Sequence, residues 1–189
     1  KDYLIDMGYD IVITREPGGT DISEEIREVI LNKENTKMDR ITEALLYAAA
    51  RAQHVSEVIK PALTEGKAVI CDRYIDSSIV YQGIGRGLGI KFIEEINNLA
   101  VQSIMPEVTV FLDMDPEDGL KRRKGTDECN RLDLEKLDFH KEVYKGYLEL
   151  AEKYSDRIYS IDGSRSIDEV RKDIIVIVEK TLKGNKNEI

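Results

Sequence analysis

The chain has 189 residues, with 28 Lys and Arg against 37 Asp and Glu for a net charge of −9, 41% apolar residues, 13 Gly, 4 Pro, 2 Cys and no Trp. These figures exclude a disordered chain, a collagen-like repeat and a disulfide scaffold, and they suit one domain large enough to bury its own core. The acidic balance argues against wrapping a nucleic-acid duplex, which needs a basic stripe to displace counterions, so an anionic ligand must be gripped locally.

Lys1 is not an initiator, and positions 1–9 read as the end of a helix stopped by Gly8, so residue 1 is expected to lie downstream of the biological start. A β-branched run, Ile11-Val12-Ile13, predicts a strand ending in Thr14-Arg15-Glu16-Pro17-Gly18-Gly19, where Pro and two Gly force a loop. Thr20 or Asp21 can cap a helix over 22–31, and a longer helical pattern covers 40–65 with a kink expected at Pro61. Ala68-Val69-Ile70-Cys71 predicts a second buried strand, 108–112 a third and 158–161 a fourth. Helices are expected over 76–82, 90–102, 116–123, 134–154 and 166–182, and the polar tail 184–189 is expected to fray. Alternation of continuous apolar strands with helices predicts a parallel α/β sheet whose ligands sit beyond the carboxyl ends of the strands, where Arg15-Glu16, Asp72-Arg73 and Asp113 fall.

No apolar run approaches the ~18 residues of a membrane span, and the amino terminus lacks a signal-peptide pattern. Cys71 and Cys129 are isolated thiols, and with only His54 and His140 beside them a structural zinc site is not expected. A reducing, cytoplasmic compartment is.

Four groups of residues could carry chemistry. Asp72-Arg73-Tyr74 closes a buried strand, where an acid can hold magnesium or its waters and an arginine can reach a phosphate, or where the two merely satisfy one another. Tyr47 and Arg51 lie four apart on one helix face and suit a planar base, the alternative being a core tyrosine beside a solvated arginine. Ser78, Tyr81 and Gln82 converge at helical spacing, and a Gln amide both donates and accepts as a pyrimidine edge requires; capping groups would look alike. The run Lys121-Arg122-Arg123-Lys124, followed by Gly125 and polar residues up to Arg131, can close over a polyphosphate or simply end a helix. Two signals fail: the stretch from Gly83 to Gly89 lacks the third glycine of a dinucleotide loop and reads as a flexible loop, and no G-x-x-x-x-G-K-[ST] phosphate loop occurs in this chain.

Taken in order, 14–20 (Thr-Arg-Glu-Pro-Gly-Gly-Thr), Ile26-Arg27, 43–51 (Glu-Ala-Leu-Leu-Tyr-Ala-Ala-Ala-Arg), 71–74 (Cys-Asp-Arg-Tyr), Ser77-Ser78, 81–83 (Tyr-Gln-Gly), 130–133 (Asn-Arg-Leu-Asp) and 138–140 (Asp-Phe-His) resemble the thymidylate kinase family over positions 1 to about 182. The resemblance implies a P-loop NTPase-like nucleoside monophosphate kinase fold, a parallel sheet flanked by helices, in which 1–183 form one kinase domain with a lid at about 121–133. It implies transfer of the γ-phosphoryl of ATP to dTMP with Mg2+ as cofactor, no nucleic acid or membrane partner, and a homodimer formed through the 40–65 and 90–102 helices.

Residue by residue, the resemblance makes Tyr47 the aromatic packing against thymine, Arg51 a donor to a base carbonyl, Gln82 with Ser78 the reader of the remaining edge, and Tyr81 the wall beside the sugar 2′ position. Arg27 and Arg73 would hold the dTMP phosphate, Asp72 and Glu16 would organise magnesium, water and the reacting phosphates, and Arg122, Arg123 and Arg131 belong to the lid. The family's first strand and phosphate loop, roughly twenty residues, precede position 1. Since that strand lies mid-sheet in the family, the chain is expected to carry an open apolar slot and to be an incomplete or inactive fragment; a catalytically dead thymidine-nucleotide binding module is the alternative.

Overall fold

The computed structural model describes residues 1–123 and 130–185, with the side chains of Arg123, Gly184 and Asn185 left aside. The lid positions 124–129 and the tail positions 186–189 lie outside the described residues. The elements, in chain order, are α1 (Asp2–Asp6), β1 (Ile11–Arg15), α2 (Asp21–Leu31), α3 (Arg40–His54), a π-helical turn (Val55–Ile59), α4 (Lys60–Thr64), β2 (Ala68–Asp72), α5 (Ile75–Ser78), a second π-helical segment (Ile79–Gly85), α6 (Ile90–Val101), β3 (Thr109–Asp113), α7 (Pro116–Arg123), a 3-10 turn (Leu132–Leu134), α8 (Leu137–Lys153), β4 (Ile158–Asp162) and α9 (Ile167–Asn185).

The strands form two parallel ladders, β1 with β2 in the register Ile11 to Ala68 and β3 with β4 in the register Thr109 to Ile158. Among the described residues no ladder joins the two. The apolar runs of β2 and β3 predict burial on both faces, yet their side chains are mostly half-buried, because a two-stranded ladder covers only one edge of each strand. The main core lies instead among the helices, where Ala44, Ile79, Val80, Ile93, Val143 and Leu150 meet Ile75, Val101 and Ile158.

Caps and breakers act where the chemistry of the residues places them. Thr20 caps α2 by accepting the Ser23 backbone N–H at 3.1 Å, and Asp39 caps α3 by accepting that of Ile41 at 2.8 Å. Pro61 does not kink a continuous α-helix as expected: the chain widens into the π turn first, and Pro61 sits in the first turn of α4, where its missing N–H is tolerated. α9 continues to Asn185, beyond the expected end at 182.

The glycine-rich stretch 83–89 departs from the expected flexible loop. Its first half is helical, and a Cβ on Gly85 would stand 2.8 Å from the Phe139 ring and 3.0 Å from Val143. Glycine is needed there so that α8 can press against the π-helical segment. A Gly85→Ala substitution is expected to cost about 1–3 kcal/mol by overpacking, read as a fall in the urea midpoint, whereas a flexible loop would tolerate it.

Candidate functional site

A cavity of about 570 Å³ opens at the carboxyl ends of β1 and β2, the position at which parallel sheets bind ligands. Nine of the predicted residues line it: Glu16, Arg27, Tyr47, Arg51, Asp72, Arg73, Ser78, Tyr81 and Gln82. Arg122 and Arg131 do not, and the Arg123 side chain lies outside the described residues.

One face of α3 explains how the cavity is built. Positions 43, 47, 51 and 54 share a face by helical spacing, and they carry Glu43, Tyr47, Arg51 and His54, polar residues driven inward. Arg51 is 2% exposed and Glu16, from the loop after β1, 4%. Arg51 Nε donates to Glu16 Oε2 at 2.8 Å with Nη2 2.7 Å from the same oxygen, and Nη1 donates to Ser78 Oγ at 3.2 Å and to Asn97 Oδ1. His54, fully buried, lies between Glu16 Oε1 at 3.0 Å and Thr14 Oγ1 at 2.7 Å. Burying two charges is worthwhile only when their donors and acceptors are met, and this chain of contacts meets most of them. Gly19 follows from it: at φ +89 its backbone passes so close that a Cβ would stand 2.7 Å from the His54 ring.

The same geometry bears on the expected metal role. Both oxygens of Glu16 are already taken by Arg51 and His54, which leaves Asp72 alone at the end of β2, and among the described residues no group of three or more His, Cys, Asp or Glu could hold a metal ion. Direct coordination of magnesium by Glu16 would compete with Arg51 and His54, and contact through water is the form of metal role these residues can serve. Glu16 ties the loop after β1 to α3.

The cations divide by their partners. Arg15 is paired with Glu24 at 2.9 Å, and Arg27 Nη1 donates to the Pro17 carbonyl at 2.7 Å. Arg73 makes no ion pair among the described residues; its guanidinium lies 5.3 Å from the Tyr81 ring centroid. Its φ of +67 is one of few positive values outside glycine, a strained conformation that recurs where a side chain is aimed at a ligand. Tyr81 is set by edge contacts with Phe139 and Tyr147, and Tyr147 is fixed by a 2.9 Å bond with Ser77.

Of the three arginines expected in a lid, Arg131 is engaged within the fold. It is 7% exposed, its Nε donates to the Ile30 carbonyl at 2.9 Å and its Nη2 to Glu43 Oε2 at 2.6 Å. These bonds tie the chain at residue 131 to α2 and α3. Arg122 is exposed on α7 away from the cavity, and the Arg123 side chain lies outside the described residues.

Glu43, His54, Asn97 and His140 were given no role from sequence. The stripe spacing on α3 was the signal for the first two; Asn97 is brought in by α6 with no signal in its own neighbourhood, and His140 by α8, where the resemblance of 138–140 was its one mark. His140 lines the cavity with a buried Nε2 that has no partner.

Two outcomes follow from this packing. Glu16→Ala leaves Arg51 buried without its carboxylate and is expected to cost about 3–5 kcal/mol, measured by urea unfolding. Burial holds the His140 ring below the ordinary imidazole value of 6.5, against the opposing pull of Asp133 and Glu135. The unfolded chain therefore takes up this proton more readily, and the contribution to stability present above that value is lost as pH falls through the folded one. Melting temperatures measured from pH 8 to 5.5 should decline less in His140→Gln than in the parent.

Comparison with known proteins agrees with this geometry. The family model described as thymidylate kinase matches residues 1–174. The thymidylate kinase of Bacillus licheniformis is 54% identical over 187 residues, covering 98% of this chain and 88% of that protein, and the thymidylate kinase of Clostridium novyi is 52% identical over 176 residues, 92% and 86% of the two chains. The crystal structure of thymidylate kinase from Ehrlichia chaffeensis superposes with a TM-score of 0.75 at 30% identity, over 94% of this chain and 86% of that one. The chain belongs to the thymidylate kinase family of nucleoside monophosphate kinases, which are phosphotransferases.

Proposed function

We propose that the cavity binds dTMP and that the protein transfers the γ-phosphoryl of ATP to it, giving dTDP. The observation that carries this reading is that one cavity gathers an aromatic side chain, a pyrimidine-reading amide and an arginine without an ion pair, namely Tyr47, Gln82 and Arg73. Arg73, with Arg27, supplies the positive charge that a 5′-phosphate needs. Tyr47 packs on the base, Ser78 and Gln82 face its edge, and Tyr81 crowds the sugar 2′ position, disfavouring ribonucleotides. Arg51 borders the base with most of its hydrogens committed, so its first service is to fix Ser78 and Glu16. Phosphoryl transfer asks chiefly for positioning and neutralisation of the equatorial oxygens, and these side chains provide the first on the acceptor side.

Magnesium, on this reading, arrives with ATP as the counter-ion of the nucleotide's own phosphates, and Asp72 is the carboxylate exposed at the end of β2. Arg122 and Arg123 are the lid cations left to meet ATP. Residues 1–183 act as one kinase domain. The cytoplasm is the compartment that suits a free Cys71 and a nucleotide substrate; no described helix is long and apolar enough to cross a membrane. A second copy of the chain would cover Ile41 and Leu45 on α3 and Leu99 on α6, which are exposed by 44%, 50% and 85%.

A coupled assay of ADP release with dTMP, UMP and CMP, run beside calorimetric titration of dTMP, tests the assignment. Turnover selective for dTMP is the expected result; dTMP binding without ADP release would leave a thymidine-nucleotide binding module, and no dTMP binding would overturn the reading. Arg73→Ala is expected to weaken dTMP binding by about tenfold or more, in line with loss of a charge-assisted hydrogen bond, with little change in melting temperature. Sedimentation equilibrium should show a dimer that Leu45→Glu with Leu99→Glu converts to monomer.

A further inference from the structure

Gln82 is 1% exposed, lines the cavity and leaves its Oε1 without a hydrogen-bond partner. Buried acceptors in that state are costly and call for an explanation. Its other end is explained: Nε2 donates to Glu43 Oε1 at 2.9 Å. Glu43 is itself 1% exposed and is held from several sides, by Arg86 Nε on Oε1 at 3.1 Å, Arg86 Nη2 on Oε2 at 3.1 Å and Arg131 Nη2 on Oε2 at 2.6 Å. Arg86 is tied in turn to Glu135 at 2.7 Å. Burial alone would raise the Glu43 carboxyl, but the hydrogen bonds from Arg86, Gln82 and Arg131 outweigh it and hold the group below the usual carboxylate range.

An ionised carboxylate only accepts hydrogen bonds. The Gln82 amide must therefore turn its NH2 toward Glu43, which leaves its buried oxygen as the unmet group of a side chain that lines the cavity. That orientation is dictated by the neighbour and does not depend on how an amide is assigned from its shape. An amide oxygen fixed in a pocket wall pairs with a ligand N–H and repels a ligand lone pair. Thymine and uracil offer an N–H at ring position 3, between two carbonyls; cytosine offers a lone pair at the same place.

We propose that Glu43, which does not line the cavity, is the positioning residue that sets its base selectivity: it locks the Gln82 amide with the oxygen toward the ligand and so selects nucleotides whose base carries an imide N–H. This rests on the reading of the cavity as a nucleoside monophosphate site. The reverse orientation of Gln82 would suit cytosine. Replacing Glu43 by glutamine should produce it, because Arg86 Nη2 and Arg131 Nη2 claim the new amide's oxygen at the Oε2 position, at the cost of the Arg86 Nε bond, and leave its NH2 facing Gln82, which must then answer with its own oxygen.

The test is calorimetric titration of the full chain with dTMP, dCMP and 3-methylthymidine 5′-monophosphate, for the parent, Glu43→Gln and Glu43→Asp, each checked for folding by circular dichroism. The parent should prefer dTMP over both other nucleotides by about tenfold or more, the scale of one buried hydrogen bond made or left unmet. Glu43→Gln should shift the dTMP to dCMP ratio by about tenfold or more toward dCMP, with an absolute gain in dCMP affinity that general loosening of the fold could not produce. Glu43→Asp, a methylene too short to reach Gln82 while keeping the charge for both arginines, should bring the ratio toward unity, and it serves if the glutamine variant does not fold. Equal parental affinity for dTMP and its 3-methyl derivative overturns the proposal with no variant needed, as does an unchanged ratio in either folded variant. Failure of the parent to bind any of the three would instead overturn the nucleotide reading of the cavity.

Discussion

The ion pair between Arg51 and Glu16 is the contact on which the candidate site depends. It joins the loop after β1 to the middle of α3, and both partners are almost wholly removed from water. Desolvating two charges costs several kcal/mol before any is returned, and Ser78, Asn97 and His54 offset it by adding hydrogen bonds to both groups. Ser78 belongs to α5 and Asn97 to α6. One guanidinium therefore fixes the relative positions of a loop and three helices, and the cavity is the space these leave at the strand ends.

A second buried carboxylate repeats the device at the other end of the stripe. Glu43 gathers Gln82, Arg86 and Arg131, drawing together the π-helical segment and the chain at 130–131. The two hubs lie eight residues apart on α3, with Tyr47 between them. This spacing makes α3 a polar spine inside an otherwise apolar helical layer. It also accounts for the small residues beside it: Ala44, Ala48 and Ala50 are buried, and longer side chains there would hold the neighbouring helices too far away for these short hydrogen bonds.

The π-helical segments sit where this spine meets its neighbours. Ile79–Gly85 carries Tyr81 and Gln82 side by side, and the wider turn lets adjacent residues serve different surfaces: Tyr81 meets Phe139 and Tyr147 of α8, while Gln82 reaches Glu43 on α3. Gly85 and Gly146 allow α8 close enough to complete the aromatic wall.

Local sequence determined the alternation of strands and helices and the cap at Thr20, and it marked several of the side chains that line the cavity. Strand runs, capping residues and four-residue spacings are local signals, and Tyr47, Arg51, Ser78, Tyr81 and Gln82 stand in them. What the sequence could not determine is how each polar group is spent. Arg131 reads as one more cation in a basic, glycine-containing segment, and Glu16 as an acid in a loop after a strand; the approach of Glu43 and Ile30 to the first, and of Arg51 and His54 to the second, shows their hydrogen bonds within the fold. The glycine-rich stretch 83–89 likewise reads as a loop until Phe139 and Val143, more than fifty positions away, are packed upon it. Whether a buried donor or acceptor is free depends on partners distant in sequence, and those are supplied by tertiary packing alone.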